Sequence, residues 1–351
     1  MRVLSFTPEK GVLVVILLYI NMYIRNQIVH IALLLGIGIA IIILHLSMAD
    51  NRLENIASDF SERTGFHSVA VPLPSQLELA GEKVPLNLFY VRESLDRELT
   101  SNTYWHSNTI LMFKRSHRFF PIIERILKKN GIPEDMKYLA LVESGLTVVT
   151  SSAGAGGYWQ FIPETAKTYG LEINSWVDER NHIEKSTEAA CKYLKKSYEE
   201  HGNWTMVAAS YNGGQGRMKR VVKHQGTNNF YELFLNNETS RYVYRLLAMK
   251  LIFEHPEKYG YKIRPEDMYP HIPTKKVEIT QSVSNLPQFA RDNGINYRML
   301  REMNPWLSDS TIQVKDGKKY TVLIPTGRFN DYDQLIRDDI QNTARADSSK
   351  I

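Results

Sequence analysis

"VESGLTVVTSSAGAGGYWQF" runs from Val142 to Phe161 and holds one carboxylate, four glycines and a Trp-Gln pair. Just upstream, "PEDMKYLALVES" (133–144) reads as a helix with acids in its first turn and Gly145 as its stop. Glu143 then falls in the last turn, where the helix dipole is negative and disfavours ionisation. Leu141, Val142 and Leu146 add desolvation. Both effects raise a carboxyl pKa, and an acid that keeps its proton near neutrality can donate it to a leaving oxygen. The "SSAGAGG" that follows is unsuited to a helix interior, since each glycine costs about 1 kcal/mol relative to alanine. Such small residues let a polymer approach backbone N–H groups closely. Tyr158 or Trp159 offers a ring for a sugar face, and Gln160 an amide for hydrogen bonding. The plainer readings are an exposed Glu at a helix end and a Trp packed in the core.

Outward from this stretch, the pattern from Leu86 to Tyr261 is helical. "PIIERILKKNG" (121–131) begins with Pro at a helix N-terminus and stops at Gly. "STEAACKYLKKSYEEHG" (186–202) takes Ser186 as N-cap, and "NWTMVAASYNGG" (203–214) is a short Ala-rich helix ended by glycines. "SRYVYRLLAMKLIFEHP" (240–256) stops before Pro256. Residues 262–275 read as a linker. Beyond them "KKVEITQSV", "NLPQFARDNG", "NYRMLREMNP" and "KKYTVLIP" give a β-α-α-β unit over 276–326, and the polar residues 327–351 read as a disordered tail.

The N-terminus predicts export. Ile28–Leu46 holds 19 residues without Asp, Glu, Lys or Arg, with Arg25 before it and the small-x-small "SMA" at Ser47–Ala49 after it. Residues 1–49 are therefore expected to be a leader, either a cleaved signal peptide or a membrane anchor, with Met1 or Met22 as its start. Residues 50–85, polar and then proline-punctuated, read as a spacer between membrane and domain.

Composition narrows the partners. The 351 residues carry 43 Lys and Arg against 38 Asp and Glu, a net charge of +5 that suits a polyanion without demanding one. Cys191 is the sole cysteine, which excludes an intramolecular disulfide framework and a thiolate cluster. The histidines lack HExxH spacing, and "SSAGAGG" lacks the Lys-Ser/Thr of a phosphate-binding loop, so neither a metal nor another cofactor is expected. The basic stretches "FKRSHR" and "GRMKRVVKH" have no nucleic-acid recognition motif beside them and read as solvated helix faces.

A resemblance joins these pieces. Glu143-Ser144, "SAGAGGYWQF", "PETAKTYGL", "VDERNHIEKSTEAACKYL", "WTMVAASYNGGQGRMKR" and "ETSRYVYRLLAMK" follow one another as in lytic transglycosylases of the soluble type, glycoside hydrolase family 23. The "GxWQF" form is most similar to the membrane-bound murein transglycosylase D subgroup. The resemblance covers about half of the chain. It implies a mainly α architecture, with a lysozyme-like (goose-type) helical catalytic domain over 86–261. It also implies cleavage of the MurNAc–GlcNAc bond of peptidoglycan without water, leaving 1,6-anhydro ends. Glu143 matches the single catalytic acid of the family, Ser151 its nearby serine, Gln160 the glutamine of its G-x-x-Q block, and Tyr211 and Asn212 its A-Y-N block. Tyr242 matches its ET-x-x-YV tyrosine, expected to orient or shield Glu143. Many relatives have "GLMQ" where this chain has "GYWQ", so Tyr158 and Trp159 mark a changed subsite. Residues 276–326 resemble a LysM module that binds N-acetylglucosamine polymers, although the usual Gly-Asp after the first strand is replaced by Gln281-Ser282. The expected partners are peptidoglycan glycan strands in the cell envelope and, if the leader stays, the membrane.

Two alternatives remain open at this level. A lysozyme-type hydrolase needs a second carboxylate, for which Glu164, Asp178 and Glu238 are the distant candidates. A non-catalytic wall-binding protein needs none.

Overall fold

The computed structural model describes residues 18–19, 21–27, 33, 35–44, 69–315 and 317–348. The chain divides into two units, Met1–Val69 and Ala70–Ile351. In the first, residues 21–27 and 35–44 are helical. Among the described residues no helix is long and apolar enough to cross a membrane. Parts of the Ile28–Leu46 run, the Ser47–Ala49 site and residues 50–68 lie outside the described residues.

The second unit opens with a hairpin, β1 (Glu78–Leu79) and β2 (Glu82–Lys83), closed by Ala80 and Gly81. Both turn residues have positive φ, +52° and +81°, the signature of the two-residue turn whose twist matches the strands. The expected spacer therefore ends before residue 85. Val71, Leu77, Leu79 and Val84 are buried, and Ala80 N–H donates to Asp135 Oδ2 at 2.7 Å.

The helices follow as α1 (Phe89–Thr103), α2 (His106–Lys129), α3 (Lys137–Ser144), α4 (Pro163–Thr168), α5 (Ile183–His201), α6 (Trp204–Gly213), α7 (Gln215–Gln225) and α8 (Asn237–Glu254). Helix α8 packs against α1, α3 and α6. It buries residues around most of its circumference, including Tyr242, Val243, Leu246, Leu247 and Leu251, as a central core helix must. Helix α2 in turn packs on α5.

Several local expectations change. Pro121 does not start a helix but lies inside the 24-residue α2. An interior proline costs about 3 kcal/mol, and the burial of Phe113, Phe120, Ile123, Ile126 and Leu127 along one stripe offsets it. The 133–144 segment starts as a 3-10 turn, Glu134–Met136, before α3. Ser186 is not an N-cap: α5 begins three residues earlier, and Ser186 Oγ donates back to His182 O at 2.8 Å. His182 is the cap. Burial, followed by the Lys185 charge, lowers its pKa to about 4, so the imidazole is neutral and can accept from Lys185 N–H. Helix α6 is capped twice, by Asn203 Oδ1 and, from 122 residues away, by Glu82. That carboxylate accepts from the N–H groups of Trp204 and Thr205 and from Thr205 Oγ1.

Residues 274–325 form the expected β-α-α-β unit: β3 (Thr274–Ile279), α9 (Leu286–Asp292), α10 (Tyr297–Met303) and β4 (Tyr320–Pro325). The strands pair antiparallel, Thr274 opposite Pro325 and Ile279 opposite Tyr320. Asn304, fully buried, completes the edge of β4 by exchanging two hydrogen bonds with the Leu323 backbone, at 2.7 and 2.8 Å. The unit is docked on the helical body. Val177 pairs with Leu307 and sits in the smaller core with Leu300, Trp306 and Val322. Asp178 N–H donates to Trp306 O, and Ser308 N–H to Trp176 O, each at 2.8 Å. The expected linker over 262–275 is likewise held, with Arg118 Nε donating to Pro270 O and Tyr269 N–H to Lys114 O.

The tail is not disordered throughout. Helix α11 spans Tyr332–Ser348. Asp339 on it accepts from His117 Nε2 at 2.7 Å and His271 Nδ1 at 2.9 Å. Burial pushes the Asp339 pKa up, but these two hydrogen bonds outweigh it and hold the group below its ordinary value. A polar composition misled here because a single tertiary clasp, invisible to local pattern, fixes the helix.

Replacing Glu82 by Ala removes the distant cap of α6. Urea unfolding is expected to show a loss of about 1–2 kcal/mol, with no change in far-ultraviolet circular dichroism of the folded state.

Candidate active site

Glu143 sits in the last turn of α3, which Gly145 ends with φ of +59°. Its Oε1 accepts a hydrogen bond from Tyr242 Oη at 2.7 Å. Oε2 has no protein partner among the described residues. Burial raises the carboxyl pKa from 4.5 to about 7, against the Tyr242 hydrogen bond and the Arg245 charge, which lower it; the Glu238 charge adds to the rise. Tyr242 is 3% exposed, and burial together with the Glu143 charge holds its own phenol well above 10. It is therefore a permanent donor. A donor to one oxygen leaves the other as the seat of the proton when the acid is neutral.

Arg245 is itself restrained. Glu98, 1% exposed on α1, accepts from Arg241 Nε at 2.6 Å and from Arg245 Nε at 3.4 Å, and pairs with Arg97 at 3.3 Å. A buried carboxylate needs such partners. The arrangement ties the nearest cations of α8 to Glu98 rather than to Glu143. The sequence reading did not single out Glu98; its signal was an acid in register with Val91, Leu95 and Leu99 on the apolar stripe of α1.

The remaining expected residues separate into two groups. Tyr211 belongs beside Glu143: the two interact electrostatically, and burial first, then the Glu143 charge, lifts the phenol well above 10. Its hydroxyl donates to Trp159 O at 2.6 Å. Tyr193 on α5, not among the expected site residues, also feels the Glu143 charge and packs on Tyr211 with ring centroids 5.2 Å apart. Asn212 is partly exposed and its amide makes no hydrogen bond among the described residues.

Tyr158 and Trp159 are corrected. Trp159 is 0% exposed, and its Nε1 donates to Thr187 Oγ1 at 2.9 Å. It is a core residue, and no sugar can reach its face. Tyr158 is 5% exposed with its ring against Phe119, so it walls a cleft instead of presenting a platform. Gln160 is partly exposed but not free. Its Nε2 donates to Val149 O at 3.0 Å and Gly157 O at 2.8 Å, which leaves only Oε1 for a ligand. It adopts φ of +49°, and Leu146 φ of +57°. These are left-handed conformations that side chains resist and that gather around functional loops. Ser151 lies in the exposed loop, where its Oγ accepts from Ala155 N–H at 3.1 Å; no hydrogen bond joins it to Glu143.

The glycines also have a different cause from the one expected. A Cβ on Gly157 would stand 1.9 Å from Arg180 O, and one on Gly156 would stand 2.8 Å from Arg180 Cζ. Arg180, 7% exposed, threads the loop and donates through Nη1 to Gly154 O at 2.7 Å and Phe161 O at 3.0 Å. The small residues make room for this guanidinium. Asp178 is its counter-ion at 2.7 Å and is thereby spent as a second acid. Glu164 and Glu238 are exposed, and only Glu238 acts on Glu143. His117, His271 and Asp339 bring three ligand atoms within 4.8 Å of one another, the one such convergence among the described residues. Both Asp339 oxygens are already taken by the imidazoles.

Residues 120–234 match the family model of the transglycosylase SLT domain. Residues 275–328 match that of the soluble lytic transglycosylase C-terminal LysM-like domain. Over 241 residues, 67% of this chain and 51% of the relative, the chain is 29% identical to membrane-bound lytic murein transglycosylase D of Escherichia coli strain K12. It spans about half the length of the curated relatives it matches. Among solved structures, the 70 kDa soluble lytic transglycosylase of Escherichia coli aligns at 24% identity and a TM-score of 0.34, covering 39% of this chain and 24% of that one. An inactive mutant of lytic transglycosylase Slt from Pseudomonas aeruginosa aligns at 22% identity and a TM-score of 0.34, covering 40% and 24%. The two matched stretches follow one another along the chain, the SLT match over 120–234 and the LysM-like match over 275–328.

A raised carboxyl pKa has a cost in stability. Between pH 4.5 and about 7 the folded chain holds a proton on Glu143 that the unfolded chain has released, so stability falls as pH rises through that window. Glu143→Gln keeps an acceptor for Tyr242 and removes the buried charge. Chemical denaturation should find this variant more stable than the parent at pH 8, by on the order of 2 kcal/mol, with the gain vanishing near pH 4.

Proposed function

We propose that the chain is a peptidoglycan lytic transglycosylase of the cell envelope, with Glu143 as its one acid–base group. The observation that carries this reading is the neutral-range acid held by Tyr242, with no second carboxylate bonded to it among the described residues. Protonated Glu143 gives its Oε2 proton to the glycosidic oxygen as the MurNAc–GlcNAc bond breaks. The carboxylate so formed is stabilised by the Tyr242 hydrogen bond and the Arg245 field, which favour the charged state. It then removes the proton from the MurNAc 6-hydroxyl as that oxygen closes on the anomeric carbon, producing the 1,6-anhydro sugar and restoring the acid. Water is not consumed, so the paired carboxylates of hydrolytic schemes are not required.

Asn212 supplies an uncommitted amide for a sugar hydroxyl or acetamido group, Gln160 supplies its Oε1, and Ser151 supplies a hydroxyl on the exposed rim. Tyr211 positions the loop through Trp159 O. The domain organisation that fits best is a catalytic body from residue 71 to 261 and a glycan-binding LysM-like unit over 274–325 docked on it. Envelope placement is supported by the apolar run at Ile28–Leu46 and by the membrane-bound description of the relative in Escherichia coli.

Mass spectrometry of digested peptidoglycan tests the reaction. Anhydro ends are expected, and reducing ends would mean a hydrolase. Glu143→Gln is expected to lose at least about a hundredfold in rate. Because the acid must start protonated, the parent's activity should decline as pH rises past about 7. A Glu143→Gln chain that clears peptidoglycan at the parental rate would remove this residue from the reaction.

A further inference from the structure

Docking of the LysM-like unit creates a cleft of about 500 Å³ beside the loop that follows α3. Arg115 and Arg118 from α2 line it, as do Arg298 and Arg301 from α10. Glu302 is the only acid in its walls among the described residues. Arg298 pairs with Glu302 at 3.6 Å, both side chains being mostly exposed, and such a pair is worth little. The other three guanidiniums have no carboxylate partner among the described residues. Arg115 Nη1 donates to Gly145 O at 3.1 Å, Arg118 Nε to Pro270 O at 3.0 Å and Arg301 Nη1 to Tyr297 Oη at 2.9 Å. Arg301 Nε is buried with no hydrogen-bond partner among the described residues. Asp339 also acts on Arg118, but both of its oxygens are occupied by His117 and His271.

Cations gathered with buried N–H groups unspent are destabilising unless an anion joins them. Elsewhere this chain satisfies its buried charges, as Glu98 and Arg180 show. We propose that this cleft binds the carboxylates of the peptides attached to the glycan strand, so that Arg301, with Arg115 and Arg118, selects peptide-bearing over bare strands. The proposal rests on the peptidoglycan reading above and deepens it. Geometry favours a peptide attached near the cut bond, because the cleft borders Leu146–Val148, directly after the Glu143 turn, and Arg115 holds the Gly145 carbonyl. Guanidinium forks match planar carboxylates in paired hydrogen bonds. The burial that lowers the Arg118 pKa also strengthens any ion pair made there.

The test measures binding by the full chain carrying Glu143→Gln, which leaves strands uncut. Soluble, uncrosslinked glycan strands are titrated with their peptides intact and after an amidase has removed them. Peptide-bearing strands should bind about tenfold more tightly, the value of one good charge-assisted contact. Adding Arg301→Gln should reduce the preference to within about twofold. Lys223→Gln, which removes the same charge from an exposed helix face, should leave it unchanged. A second measurement needs no further variant: about 1 M salt, where the screening length is about 3 Å, should erase the preference. Equal binding of the two strands, or a preference that survives both Arg301→Gln and salt, overturns the proposal. Anhydro product is read separately on the parent chain, so failure of the enzymatic reading and failure of this one give different results.

Discussion

The hydrogen bond from Tyr242 to Glu143, made where water is largely excluded, is the interaction on which the remaining architecture bears. Burial pushes Glu143 toward the neutral form. Tyr242 and Arg245 pull it back toward the charged form, and the balance falls at about pH 7. The architecture of the body serves that balance. Helix α8 is buried around most of its surface and carries Tyr242 and Arg245 one turn apart. Helix α1 supplies Glu98, whose two oxygens hold Arg241 and Arg245. If Arg245 were released to approach Glu143, the acid would ionise at ordinary pH and lose the proton that the proposed reaction needs. The placement of a cation relative to an acid is thus governed by a third charge buried behind it.

A second constraint shapes the loop after Glu143. Arg180 is nearly buried, paired with Asp178, and spends its N–H groups on loop carbonyls. The loop must therefore wrap a guanidinium, and only glycine fits at 157. The same segment continues into residues 176–178, which pair with 306–308 of the LysM-like unit. One stretch of chain consequently links the acid's loop to the docking of the second unit. The arginine-lined cleft is a product of that docking.

Much of this was legible in the sequence, and the misses have physical causes. The acid at the end of α3, its glycine stop and the desolvating neighbours were readable because they are local. So was the β-α-α-β unit, whose periodicity changes where the family model for the LysM-like domain begins. The glycine-rich loop was recognised as special for the wrong reason, since its partner Arg180 is distant in sequence and sits in an irregular segment. Trp159 looked like a sugar platform because an aromatic beside glycines suggests exposure; Thr187, on the next long helix, claims its N–H instead. Pro121 read as a helix start by local rule and was overridden by the apolar stripe on either side of it. The tail read as disordered, because its clasp joins residues 117, 271 and 339, a closure no local window contains.

The most direct test follows the Glu143 carboxyl carbon by NMR through a pH titration of the full chain, with glutamate labelled and Glu143→Gln used to assign the signal. The account predicts a midpoint near pH 7, moving upward in Tyr242→Phe, because that change removes a donor that favours the charged form. A midpoint near 4.5, the ordinary value for glutamate, would contradict it.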